Sequence, residues 1–207
     1  DGCAFFGDHV RVIESGPGRL MKAAELVAAL ADLRRKGPLS GRRILVSAGP
    51  TYEDLDPVRY LANRSSGRMG FAVAEAARAS GAEVTLVAGP VNLATPVGVR
   101  RIDVRSAAQM REAVLAHADA ADAYVAAAAV ADYRPAELAP HEIKKSAAGR
   151  ALELVPTADI LAELGQRPRH PLLVGFAAET EDVLRYAREK LVRKGLDLVA
   201  ANRVGVQ

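Results

Sequence analysis

Tryptophan is absent, cysteine occurs once (Cys3), and aromatic residues make up only 4% of the 207-residue chain. A lone cysteine excludes an internal disulfide framework and fits a reducing cytoplasm. With so few rings, the core has to be built from Val, Leu, Ile and Ala, and hydrophobic residues supply half the chain. No apolar run approaches the roughly 20 residues needed to span a bilayer, and no signal-peptide pattern opens the sequence. An excess of one charge is missing too. Lys and Arg number 28 against 25 Asp and Glu, a net +3 that suits an anionic substrate. No basic run with interleaved aromatics marks a nucleic-acid surface. Charged residues at 26% argue against disorder. The first residue is not Met, so the chain is expected to begin inside a longer one.

What is present is alternation. Ile44, Leu45 and Val46 form a short apolar run ending in Ser47-Ala48-Gly49-Pro50-Thr51, the pattern of a buried parallel strand. A polar loop leads to a helix over 71–79, closed by Gly81. Further strands are expected over 83–90 (with its turn), 97–104, 122–130, 172–176 and 196–201. Helices are expected over 106–118, capped by Ser106, over 159–164, and from a Thr180 cap through 194. Residues 131–155 read as irregular. Strands separated by helices imply βαβ units, hence an α/β chain with a three-layer, Rossmann-like fold and a mainly parallel sheet. Residues 1–38 stand apart: a Gly16-Pro17-Gly18-Arg19 turn, helical periodicity over 23–33, then a linker. Residues 39–207 form the main domain.

In open α/β sheets ligands lie beyond the carboxyl ends of strands, where helix N-termini face anions. Several candidates fall there. Ser65-Ser66-Gly67 offers hydroxyls and close backbone approach to a phosphate, or alternatively a plain solvated N-cap. Ala126-Ala127-Ala128 leaves room for a base or ribose, or simply packs tightly. Asp132 can accept from a ribose or an exocyclic amine, help hold a metal, or cap a turn. Lys190 and Lys194 lie one helical turn apart and can converge on a polyphosphate, or can form a solvated face.

The string Gly49-Pro50-Thr51, Asp56-Pro57-Val58-Arg59-Tyr60 and Asn63-Arg64-Ser65-Ser66-Gly67-Arg68-Met69-Gly70 resembles the bacterial phosphopantothenate–cysteine ligase (phosphopantothenoylcysteine synthetase) family. Ala129-Val130-Ala131-Asp132-Tyr133-Arg134-Pro135 and Gly175-Phe176-Ala177-Ala178-Glu179-Thr180 are further blocks of that likeness, which runs from about Leu39 to Asn202. The resemblance implies CTP-dependent ligation of 4'-phosphopantothenate with cysteine through an acyl-cytidylate, giving 4'-phosphopantothenoylcysteine, CMP and pyrophosphate, with Mg²⁺ accompanying CTP. It gives Asn63 a role in handling the acyl-cytidylate. It places Gly49, Ser65, Ser66, Gly67, Ala126, Ala127, Ala128, Asp132, Ala158, Asp159, Ile160, Leu161, Phe176, Lys190 and Lys194 around the nucleotide. Two departures stand out. Glu142 occupies the loop position where the family carries a nucleotide-binding lysine, and Lys144 is the candidate substitute. Ala158 replaces a proline. No metal ligands are assigned.

Residues 1–38 resemble the tail of the flavin-dependent decarboxylase that is the usual N-terminal half of a bifunctional protein. FMN is therefore expected only in that missing domain, and Cys3 is expected to be inert here. The likeness also implies a homodimer through the ligase domain, a higher oligomer for the bifunctional protein, further strands after Gln207, and a cytoplasmic location, with neither nucleic acid nor membrane as partner. The alternative is a Rossmann-type dinucleotide binder or oxidoreductase. Against it, the first turn lacks Gly-x-Gly-x-x-Gly and no Tyr-x-x-x-Lys pair supplies a base.

Overall fold

Short runs of Val, Leu and Ile make the buried central strands, and six strands assemble into one parallel sheet. The computed structural model describes residues 37–145, 149–179 and 181–203. Expectations for residues 1–36, including Cys3 and the helix over 23–33, lie outside the described residues, as does the Thr180 cap. The sheet comprises β1 (Arg43–Ala48), β4 (Glu83–Ala88), β5 (Arg100–Asp103), β6 (Ala123–Ala126), β9 (Leu172–Glu179) and β10 (Leu198–Arg203). Their spatial order is β10-β9-β6-β1-β4-β5 and all five pairings are parallel. Counting only these strands in chain order, the arrangement is 3-2-1-4-5-6, with the direction of winding reversed between β1 and β6.

Side-chain alternation along β1 feeds two cores. Ile44, Val46 and Ala48 pack with Val84, Leu86 and Phe71, Ala74 and Ala77 of helix α1 (Arg68–Ala79). Leu45 packs on the opposite face with Val87, Tyr124 and Leu173. There it meets Met110 and Val114 of α2 (Ala107–Ala118) and Ile160, Leu161 and Leu164 of α3 (Ile160–Gly165). Leu191 of the last helix, α4 (Val183–Lys194), joins this second cluster. Helices on both faces of a parallel sheet give the three-layer, Rossmann-like architecture that the alternation predicts.

Local signals set most boundaries. Ser106 caps α2 with a full capping box, its hydroxyl accepting from the Gln109 N–H. The Asp159 carboxylate caps α3 by accepting from the Ala162 N–H at 3.1 Å. Other boundaries differ from expectation. The strand expected over 122–130 leaves the sheet after Ala126, where the Ala127 N–H turns onto the Ser47 carbonyl (3.1 Å). The strand expected over 97–104 is confined to Arg100–Asp103. Helix α4 follows Asp182, which lies in the left-handed region (φ 45°) and bonds no helix N–H through its side chain, its carboxylate pairing instead with Arg185 at 3.0 Å.

Two small antiparallel pairs come from stretches that read as loops. β2 (Tyr52–Asp54) pairs with β3 (Tyr60–Ala62), and β7 (Tyr133–Pro135) pairs with β8 (Leu154–Pro156). The first is fastened by a Tyr52–Tyr60 ring stack (centroids 3.9 Å apart) and by a two-point Arg105–Asp54 ion pair. No helix among the described residues is long and apolar enough to cross a membrane.

Candidate functional site

A parallel sheet leaves a crevice where its winding reverses, because the loops after the two central strands diverge to opposite faces. Here that point lies between the ends of β1 and β6, and a cavity of about 260 Å³ opens there. Ser47 from β1, Tyr124 and Ala126 from β6, and Ala128–Asp132 beyond β6 form one side. Thr157, Ala158, Asp159, Ile160 and Leu161 at the start of α3 form another, and Phe176, Lys190 and Lys194 complete it.

Backbone contacts hold the two strand-end loops side by side. The Ala129 N–H donates to the Gly49 carbonyl (2.8 Å), and the Ala131 N–H donates to Thr51 Oγ1 (3.0 Å). Asn63 Nδ2 adds a third tie by donating to the Val130 carbonyl (3.0 Å). Thr157 Oγ1 donates to the Ala131 carbonyl (2.6 Å) from the other side. Gly49 and Gly67 both have positive φ, 81° and 74°. A Cβ on Gly67 would sit 3.4 Å from Gly49 Cα and 3.0 Å from Val91 Cγ1, so this crossing tolerates no larger residue without displacement. Gly67 also caps α1, with its N–H donating to Ser65 Oγ (3.3 Å). Ser65 and Ser66 thus precede the cap rather than provide it.

Charged groups share the cavity wall with its apolar lining. Lys194 Nζ pairs with Asp159 Oδ2 at 2.9 Å, while Lys190 Nζ donates to the Phe176 carbonyl. Burial works to raise the Asp159 carboxyl, but the Lys194 hydrogen bond, the Ala162 N–H and the nearby Lys194 and Arg193 charges outweigh it, leaving it below the ordinary value. The Asp132 carboxylate is exposed and makes no hydrogen bond or ion pair with the described residues. At the floor, the hydroxyls of Ser47 and Tyr124 lie 2.9 Å apart. Burial pushes the Tyr124 phenol up to about 12, partly offset by that hydrogen bond, so it is protonated at neutral pH.

Of the residues singled out from the sequence, Ala126, Ala128, Asp132, Ala158, Asp159, Ile160, Leu161, Phe176, Lys190 and Lys194 line this one cavity. Gly49, Asn63 and Gly67 belong to the adjoining strand-end crossing, with Ser65 and Ser66 beside it. Ala127 marks the exit from β6. Glu142 and Lys144 are not among the lining residues; they pair with each other, and the Lys144 side chain is 81% exposed. Sequence reasoning missed Ser47, Tyr124 and Thr157. For Ser47 a signal existed, since it shares the face of Leu45 in the strand alternation and is the polar member of that face.

It also missed the hub that holds the Glu142 loop. The Asp56 side chain has no exposed surface. Its Oδ1 accepts from the N–H groups of Val58 and Arg59 (both 2.8 Å). Its Oδ2 accepts from Arg59 Nε (3.0 Å), Arg59 Nη2 (2.6 Å) and the Ile143 N–H (3.1 Å). Burial acts to raise its pKa, yet these donors hold it well below the usual carboxylate range. Arg59 Nη2 also donates to the Ile143 carbonyl.

Known proteins resemble this chain in sequence and fold. The family described as the DNA/pantothenate metabolism flavoprotein C-terminal domain matches residues 39–207. The coenzyme A biosynthesis bifunctional protein CoaBC of Vibrio cholerae is 52% identical over 194 residues, 92% of this chain and 49% of that protein. Its namesake in Bacillus subtilis is 48% identical over 194 residues, 91% of this chain and 48% of that protein. This chain therefore spans about half the length of the curated relatives it matches. A crystal structure of the C-terminal domain of a coenzyme A biosynthesis bifunctional protein CoaBC superposes with a TM-score of 0.71 at 47% identity, covering 79% of this chain and 78% of that one. On these matches, the chain belongs to the DNA/pantothenate metabolism flavoprotein C-terminal domain family.

Proposed function

We propose that this domain catalyses CTP-dependent ligation of 4'-phosphopantothenate to cysteine. The observation that carries the reading is the mixed lining of one cavity: alanines and apolar side chains together with two lysines of one helix and an exposed carboxylate. A flat base with a polyphosphate matches that lining. The carboxylate of phosphopantothenate attacks the α-phosphate of CTP, forming a P–O bond as pyrophosphate leaves. The amine of cysteine then attacks the acyl carbon of the acyl-cytidylate, CMP departs, and the amine loses a proton. Lys190 and Lys194 act as point charges on the phosphates. In this step a triphosphate displaces Asp159 from Lys194. Asn63 donates to the acyl oxygen without adding a charge.

Among the described residues no group of three His, Cys, Asp or Glu gathers to hold a metal. A single free carboxylate, Asp132, fits a Mg²⁺ that arrives with the triphosphate and takes few protein ligands. When bound, such an ion supplies charge neutralisation at the phosphoryl oxygens. On this reading the full-length protein also carries an FMN-dependent decarboxylase half and works in the cytoplasm. Its ligase domains pair as a homodimer within a higher oligomer.

The test is pyrophosphate release by the full-length protein with Mg²⁺, CTP, 4'-phosphopantothenate and cysteine. Turnover with CTP is expected, and release supported by ATP alone would overturn the nucleotide assignment. A second reading, dinucleotide binding, draws on the 3-2-1-4-5-6 strand order. However, the first turn, Gly49-Pro50-Thr51, leads into the β2–β3 hairpin rather than directly into a helix. Titration with NAD beside CTP separates the two readings.

A further inference from the structure

Two hydroxyl groups facing each other in a buried site hold two hydrogens but use only one between them. Ser47 and Tyr124 are each 1% exposed, and both line the cavity. Their oxygens are 2.9 Å apart, with either one able to donate. No other described residue hydrogen-bonds to either oxygen. Whichever hydroxyl accepts therefore has its own O–H hydrogen without a protein acceptor. Hydroxyl rotors adjust freely, but a buried donor left without a partner is costly. The polar side chains of the wall do not take that hydrogen: Thr157 bonds the Ala131 carbonyl, Asp159 pairs with Lys194, and the Asp132 carboxylate bonds neither hydroxyl. Ala126 and Ala128 are small, and Ile160, Leu161 and Phe176 are apolar, while the lysines are engaged with Asp159 and the Phe176 carbonyl.

We propose that the Ser47–Tyr124 hydroxyl pair is a base-reading element, donating its surplus hydrogen to a ring nitrogen or carbonyl acceptor of the bound nucleobase. The inference rests on the nucleotide reading above and adds specificity-determining residues to it. The pair lies at the floor, among the alanines and apolar side chains that leave room for a flat heteroaromatic ring. Phosphates belong with Lys190, Lys194 and Asp132. Because the two oxygens are interchangeable as donor, the pair is redundant. Ser47→Ala leaves the phenol free to donate, and Tyr124→Phe leaves the serine hydroxyl. Only removal of both abolishes the donor.

The experiment is equilibrium titration of the full-length protein and its Ser47→Ala, Tyr124→Phe and double variants with CTP and with inorganic triphosphate. Each single variant is expected to weaken CTP about twofold and the double about tenfold, more than the product of the singles, with triphosphate unaffected. A purely structural pair behaves otherwise. It makes the singles less stable in thermal melts because each orphans a buried hydroxyl, lets the double recover, and changes both ligands in parallel. A measurement on the unaltered protein guards against misfolding of the double variant. The ribose triphosphate bearing a phenyl ring in place of the base should bind about tenfold more weakly than CTP. A double variant that binds CTP normally, or loses CTP and triphosphate together, overturns the base-reading role alone. Equal affinity for the phenyl analogue overturns it as well. Failure of the unaltered protein to bind CTP at all sinks both this inference and the function it rests on.

Discussion

Asn63 binds the Val130 carbonyl through Nδ2, and its replacement by Asp puts a carboxylate against that carbonyl oxygen. The tie between the strand-end loops is then lost, and a negative charge opposes the charge that builds on the acyl oxygen. Asn63→Asp is expected to slow cysteine attack and let the acyl-cytidylate accumulate, detectable by mass spectrometry of the quenched reaction. Normal ligation by this variant contradicts the role. Asp159 offers a pH test. Its folded pKa is depressed, so its contribution to stability is present above its unfolded value, about 3.9. That contribution disappears as pH falls through the folded value. Asp159→Asn keeps a good N-cap for α3 while removing the charge. Urea unfolding across a series of acidic pH values should therefore show a shallower loss of stability for Asp159→Asn than for the unaltered protein. Equal slopes would mean the Lys194 contact adds nothing in solution.

At the scale of elements, the loop bearing Glu142 is where the sequence reading expects a lysine and finds a carboxylate. Glu142 pairs with Lys144 outside the cavity, so the charge that Lys144 could offer a phosphate is already engaged. A charge-assisted phosphate contact is worth roughly 1.5–3 kcal/mol, about one to two decades in affinity. If Lys144 serves as substitute, Lys144→Ala raises the KM for CTP by about that factor and Lys145→Ala changes it little. Glu142→Lys should improve CTP use; no response to any of the three changes would show that the loop does not reach the triphosphate. The same loop is pinned at Ile143 by Asp56 and Arg59. Asp56→Asn should speed hydrogen exchange at the Ile143 amide while leaving the amides of β1 protected. Little of this hub was legible beforehand, because Asp56 reaches Ile143 across 87 positions of sequence. The three-residue strands β2, β3, β7 and β8 were missed for a related reason. They are too short for a periodic signal, and pairing across the fold determines them. Ser106 and Asp159, by contrast, bond within three residues of themselves, and their capping or boundary roles could be read locally.

For the whole molecule, the two apolar clusters make separable predictions. Leu86 belongs to the cluster under α1 and Leu173 to the one beneath the cavity, and both are fully buried. Truncation of either to Ala should cost about 2–5 kcal/mol, measured by denaturant unfolding. Only Leu173→Ala is expected to raise the KM for CTP as well, since its cluster contains Tyr124, Ile160 and Leu161. A KM change of equal size in Leu86→Ala would show that the cores are not independent. The six strands of the sheet were legible from apolar runs interrupted by helical patterns, as was the parallel three-layer class. Their spatial order was not, because nothing local in β6 says that it crosses back to lie beside β1. The site inherits that gap. Its lysines and alanines could be named in advance, but the Ser47–Tyr124 contact spans 77 positions and exists only once β1 and β6 are neighbours.

The pairing of Ser47 with Ala126 across those two strands has a consequence for how this chain can misfold. A slip of one residue along β1 would turn Ser47 into the α1 core and send Val46 or Ala48 toward the cavity. Such a species could retain its helices and its compactness and yet present no hydroxyl to a ligand. Nucleotide binding by this domain is thus also a gauge of alignment, reporting whether two strands met in step. Circular dichroism alone would pass both versions.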